Sequence, residues 1–184
     1  MVAESRISYT LAVLGVVGFM GCDMGNDGTT TPAVDASSEA VGDANSPPIT
    51  DNGPIPSDPA ALLGWLEGGG YLQWNAESSP HRSTGPHFGQ VRTFVEPSLI
   101  ESLAAGNTEH PVGAATVKEL YGDGNAVRGW SVSIKLQADS EAGNGWFWYE
   151  MYQGNVYASG TGVRLCTGCH DDGIDYVLTP FPLQ

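Results

Sequence analysis

Near the end of the chain stand Cys166, Thr167, Gly168, Cys169 and His170. Two thiols at this spacing can each add to one vinyl group of a haem, and the imidazole that follows can bind the iron from one side. The pattern therefore predicts one c-type haem per chain, with Cys166 and Cys169 as thioether anchors and His170 as proximal iron ligand. Two other chemistries use paired cysteines. A thioredoxin-like redox pair belongs in a βαβ context, for which the chain shows no pattern. A structural zinc site takes four ligands, and no second Cys pair exists to supply them.

What stands on the opposite side of the iron decides between an electron carrier and a haem that binds small molecules. Met151 lies in an aromatic run where a packing role is expected. His81, His87 and His110 each adjoin a proline, and read as solvated or loop-bonded rings, so an open or weakly ligated iron is the expectation. Glu119 and Glu150 are candidate proton relays against a background of many solvated carboxylates. Lys118 and Lys135 are the two lysines. Lys135 shares a strand face with Ser131 and Ser133 and is expected to point to water. Lys118 shares one with Thr116 and Leu120, an arrangement that suits either a lysine reaching into a pocket or a snorkelling surface residue. Alternation alone does not choose the inner face.

The elements that must position these groups read mainly as strands. Gln90–Val95, Ala114–Tyr121, Trp130–Leu136 and Trp146–Tyr152 are rich in β-branched and aromatic residues, with Gly/Asn turns between them. In Trp130–Leu136 the alternation is clean: Trp130, Val132, Ile134 and Leu136 against Ser131, Ser133 and Lys135. Trp146, Phe147, Trp148 and Tyr149 are expected to wall the haem and fill the core. Two short helices are predicted, one over 58–67 capped by Asp58, one over 97–105 stopped by Gly106. The fold class is thus mainly β, with an α+β character: an antiparallel sheet with a few short helices enclosing one c-type haem. The long amphipathic helices of an all-helical cytochrome are not visible.

The chain has 184 residues and a formal charge of −14. Such an acidic protein does not seek nucleic acid or anionic lipid head groups. Residues 1–21 carry Arg6 and then an uncharged, Gly-rich apolar run, which reads as a signal peptide. Residues 22–58 hold no aromatic residue and no Lys or Arg, and read as a disordered acidic tether. Residues 59–184 are the expected folded domain. The signal resembles that of bacterial lipoproteins, which implies lipidation of Cys22 and a use for the odd cysteine. The expected location is the periplasm or the outer-membrane surface, with the membrane touched only through that lipid anchor.

The stretches Pro111–Tyr121, Gly129–Lys135, Trp146–Glu150 and Cys166–His170, in that order, resemble the cytochrome P-460 family and the related cytochromes c-prime-beta. The resemblance covers roughly 90–182. It implies a mainly antiparallel, usually dimeric β fold holding one c-type haem late in the chain, five-coordinate with His170 as proximal ligand. One branch carries a lysine cross-linked to the porphyrin edge and oxidises hydroxylamine, and the context of Lys118 is similar to that branch's lysine-bearing strand. The other branch lacks the cross-link and binds nitric oxide or carbon monoxide. The implied partners are a small nitrogen compound or gas and a redox partner protein.

Overall fold

The computed structural model describes residues 53–184. The predicted signal peptide, the expected lipidation site at Cys22 and almost all of the predicted tether lie outside the described residues. Asp58 starts the first helix, α1 (Pro59–Glu67), by accepting hydrogen bonds from the Ala60 and Ala61 N–H groups, with Pro59 at the first position. Asp58→Ala leaves both donors without that acceptor, so urea unfolding should show a loss of about 1 kcal/mol.

Seven antiparallel strands form one open sheet. Two short strands, β1 (Asn75–Ala76) and β2 (His81–Arg82), pair with one edge of β3 (Gln90–Val95). Helix α2 (Pro97–Ala104) follows, and then a meander: β4 (Ala115–Gly122), β5 (Gly129–Lys135), β6 (Trp146–Tyr152) and β7 (Asn155–Thr161). Helix α3 (Arg164–His170) carries both cysteines and His170. The four predicted strands and both predicted helices are present, with ends shifted by at most one residue. Nothing in the apolar pattern announces β7, because only Ala158 is buried in it; its signal was the Gln153-Gly154 turn, both residues at positive φ. Among the described residues no helix is long and apolar enough to cross a membrane.

Strand alternation gives the sheet two different faces. On one, Phe94, Val117, Val132, Ile134, Phe147, Tyr149 and Met151 pack against Leu62 and Leu66 of α1. Register aligns Phe94, Val117, Val132 and Tyr149 in a single row across four strands. Met151 is therefore a core residue on the face away from the cysteines. The other face divides in two. Its far end is a second apolar cluster of Val95, Leu99, Ala114, Trp146, Trp148 and Val177, against which Cys166 packs. Its near end is a cavity.

One expectation fails here. Lys135 does not face water: it is 1 % exposed and its Nζ pairs with the Asp175 carboxylate. The polar side of β5 is an inner face, since α3 and the segment after it cover the sheet there. Ser133 on the same side is also buried and bonds Thr116 across the strands at 2.8 Å. Two covered faces make the polar residues of this strand interior ones.

Candidate functional site

The cavity, of about 370 Å³, lies between the sheet, α3, the β2–β3 loop and the C-terminal segment. That size falls within the usual range of small-molecule pockets, about 300–1,000 Å³. Its floor is a polar row that the register builds strand by strand: Thr93 opposite Lys118, Lys118 opposite Ser131, Ser131 opposite Glu150. Trp148 lies one step along, and Cys166, Cys169 and His170 form the wall from α3. The structure thus brings Lys118 to the same cavity as the cysteine–histidine motif, and chooses the inner face that alternation left open.

His170 is held from behind. Its Nδ1 lies 2.9 Å from the Tyr176 carbonyl oxygen, so Nδ1 carries the hydrogen and Nε2 keeps its lone pair. Burial pulls its pKa below the usual imidazole range, which favours that neutral ring. Trp148 packs edge-on at 4.7 Å, and its buried Nε1–H has no hydrogen-bond partner. Both thiols are free. Burial, followed by the nearby Glu150 charge, pushes the Cys166 thiol up to about 12. A catalytic redox pair needs a lowered thiol pKa, so this environment argues against disulfide exchange as its task.

The charged groups of the cavity come from different elements. Burial draws the Lys118 ammonium down from the usual lysine range, against the opposing attraction of Glu77 and Glu150. Burial raises the Glu150 carboxyl, but the hydrogen bond and charge of His87, with Ser131 and Lys118, outweigh it and hold Glu150 below the usual range. His87 Nδ1 stands 2.9 Å from Glu150 Oε2. Glu77 accepts from the Thr93 N–H at 2.6 Å, and His81 Nε2 lies 3.1 Å from the same oxygen without the alignment of a hydrogen bond.

The remaining candidates are sorted by face. Glu150 reaches the cavity; Glu119 lies on the opposite face, bonded to the hydroxyls of Tyr71 at 2.7 Å and of Tyr121. His81 and His87 line the cavity, whereas His110 is buried beside Ser102 Oγ at 2.9 Å. Trp146 and Trp148 are on the cavity side, Phe147 and Tyr149 in the α1 core. Glu77 was not anticipated: it belongs to no predicted element, and only the pairing of β1 with β3 brings it inward.

Compared with protein-family models and with curated proteins, the chain matches none. Among the described residues, no three His, Cys, Asp or Glu side chains are grouped to hold a bare metal ion. The described residues therefore do not build a zinc-type site. Haem makes a smaller demand, since the porphyrin supplies four nitrogens and the protein need offer only an axial imidazole and two thiols. The donor set of this cavity meets that demand.

Proposed function

We propose that this chain is an exported c-type cytochrome whose cavity carries one covalent haem, with Cys166 and Cys169 as anchors and His170 Nε2 as proximal ligand. The observation that carries the reading is the convergence on one cavity of the two free thiols, the carbonyl-oriented imidazole and Lys118. When bound, the haem supplies a one-electron iron couple and an axial position for a small ligand. The activity we infer is electron transfer or redox chemistry on a small nitrogen compound, of the hydroxylamine-oxidising type.

The lining favours this over simple gas capture. A haem that stores nitric oxide or carbon monoxide needs little but apolar side chains around the open position. Here Glu77, Lys118, Glu150 and His87 share the space. The ionised Glu150 can accept a proton from a small substrate, and Lys118, whose charged form burial disfavours, brings its side-chain amine to the same space. That amine is what a P-460-like link to the porphyrin edge would require of Lys118. The C-terminal residues Leu178 and Pro180 line the same cavity.

The test is to produce the whole chain in a host that matures c-type haem and to record intact mass and absorption spectra. The expected mass includes one haem that survives denaturation. A red-shifted spectrum that reverts to that of an ordinary c-type haem in Lys118→Met identifies the link. An ordinary spectrum in the unaltered protein excludes the link, and a mass without haem excludes the cytochrome.

A further inference from the structure

We infer that His87 is the second axial ligand of this haem, so that the resting iron is bound by two imidazoles, and that a small ligand must displace His87 to reach it. The inference rests on the haem reading above and goes beyond it, because that reading leaves the opposite side of the iron open.

Three observations carry it. Two imidazoles bound on opposite sides of one metal ion at about 2 Å each hold their ring centroids about 6 Å apart. The centroids of His87 and His170 are 6.5 Å apart, with ring planes at 70°, and both rings line the cavity. Second, His87 has the support that metal-binding histidines have. Its Nδ1 is bonded to the Glu150 carboxylate, which leaves Nε2 as the available nitrogen, just as the Tyr176 carbonyl does for His170. Third, the loop that carries His87 is anchored close by. Phe88 stacks on Tyr152 at 4.2 Å with planes 4° apart, and its carbonyl accepts from the Gly122 N–H at 3.3 Å. Gly89, at φ +67, leaves no room for a side chain: a Cβ there would lie 2.2 Å from the Gly122 carbonyl oxygen. The ring is thus held on both sides, by its own carboxylate and by its neighbours in sequence.

A loop-borne ligand has a consequence for binding. If the iron is free of His87 for about 1–10 % of the time, any exogenous ligand binds about 10–100-fold more weakly than its intrinsic affinity. His87 would then act as a gate that selects ligands able to compete with an imidazole.

The experiment uses the matured full-length protein. EPR of the oxidised form should show a low-spin signal of the strongly anisotropic kind that crossed imidazole planes give. The near-infrared charge-transfer band in magnetic circular dichroism should be that of imidazole–imidazole ligation. His87→Ala should become high-spin, bind carbon monoxide in its reduced form at least about tenfold more tightly, and return to low spin on adding imidazole. A covalent haem that is high-spin in the unaltered protein overturns the assignment of His87 and leaves the cytochrome reading standing. So does a charge-transfer band of imidazole–amine ligation, which would place Lys118 on the iron. Because these spectra come from the unaltered protein, they decide the matter even if His87→Ala fails to mature. A chain without covalent haem overturns both readings together.

Discussion

Asp175→Ala is expected to destabilise the folded protein by about 3–5 kcal/mol, the usual cost of removing one partner from a buried ion pair. Lys135 Nζ sits against the Asp175 carboxylate, and the two side chains are 1 % and 4 % exposed. The same carboxylate accepts from the His110 backbone N–H at 2.8 Å and from Trp146 Nε1 at 3.2 Å. Removing it leaves a buried ammonium and two donors without that acceptor. Part of the loss has a backbone origin, since Asp175 has φ +46, which alanine tolerates poorly. Asp175→Asn separates the contributions: it tolerates this φ and keeps an oxygen acceptor, so its deficit reports the missing charge. Adding Lys135→Met to Asp175→Asn removes the unpaired ammonium while keeping an oxygen acceptor for His110 and Trp146 and a residue that tolerates this φ, so it should recover part of the lost stability. Urea unfolding of the apoprotein measures all three.

The pair also predicts a pH dependence. Burial pushes the Asp175 carboxyl up, but the hydrogen bonds of His110, Lys135 and Trp146 more than offset this and hold it below the usual range. A carboxyl with a depressed folded-state pKa contributes stability that is complete above its unfolded value, about 3.9, and is lost as pH falls through the lower folded value. The stability gap between the unaltered protein and Asp175→Asn should therefore be constant near neutrality and narrow below about pH 4. A gap that persists at acid pH would mean that the charge is not what Asp175 contributes. The effect reaches the candidate site, because Asp175 precedes Tyr176, whose carbonyl orients His170.

The second large effect is chemical. Cys166→Ser with Cys169→Ser should abolish covalent haem while leaving the fold in place. Helix α3 contributes no buried residue, Cys169 is exposed and Cys166 half-buried, so the exchange of sulfur for oxygen should change the unfolding free energy by no more than about 1 kcal/mol. Intact mass under denaturing conditions gives the readout: one haem in the unaltered chain, none in the double variant. Haem that stayed attached in the double variant would refute the assignment of these two cysteines as anchors.

Strands and helices were readable in the sequence because their signals are local. Asp58-Pro59 starts a helix by its own chemistry, and Trp146–Tyr149 is an unbroken run of β-prone aromatics. The cysteine–histidine motif was readable for the same reason. What could not be read was anything that depended on which surface covers the sheet. Ser131, Ser133 and Lys135 look like a solvent face in any single strand, and become interior only because α3 and the chain after it return across them. Asp175, the partner that makes a buried Lys135 tolerable, is forty residues away in sequence. Glu77 and His87 come from loops without periodicity, and reach the cavity through pairing with β3.

The two-faced sheet has a consequence for how such a protein can change over generations. Along β4, β5 and β6, the residues that pack against α1 alternate with those that line the cavity or its neighbouring cluster. Stability and chemistry are thereby written on alternate letters of the same strands. Point substitutions at positions such as Ser131 or Lys118 can alter reactivity while the α1 core keeps the domain folded, so the cavity is free to diversify. A one-residue insertion within a strand has no such freedom, because it would exchange the two sets. The scaffold should accept drift in letters and resist drift in length.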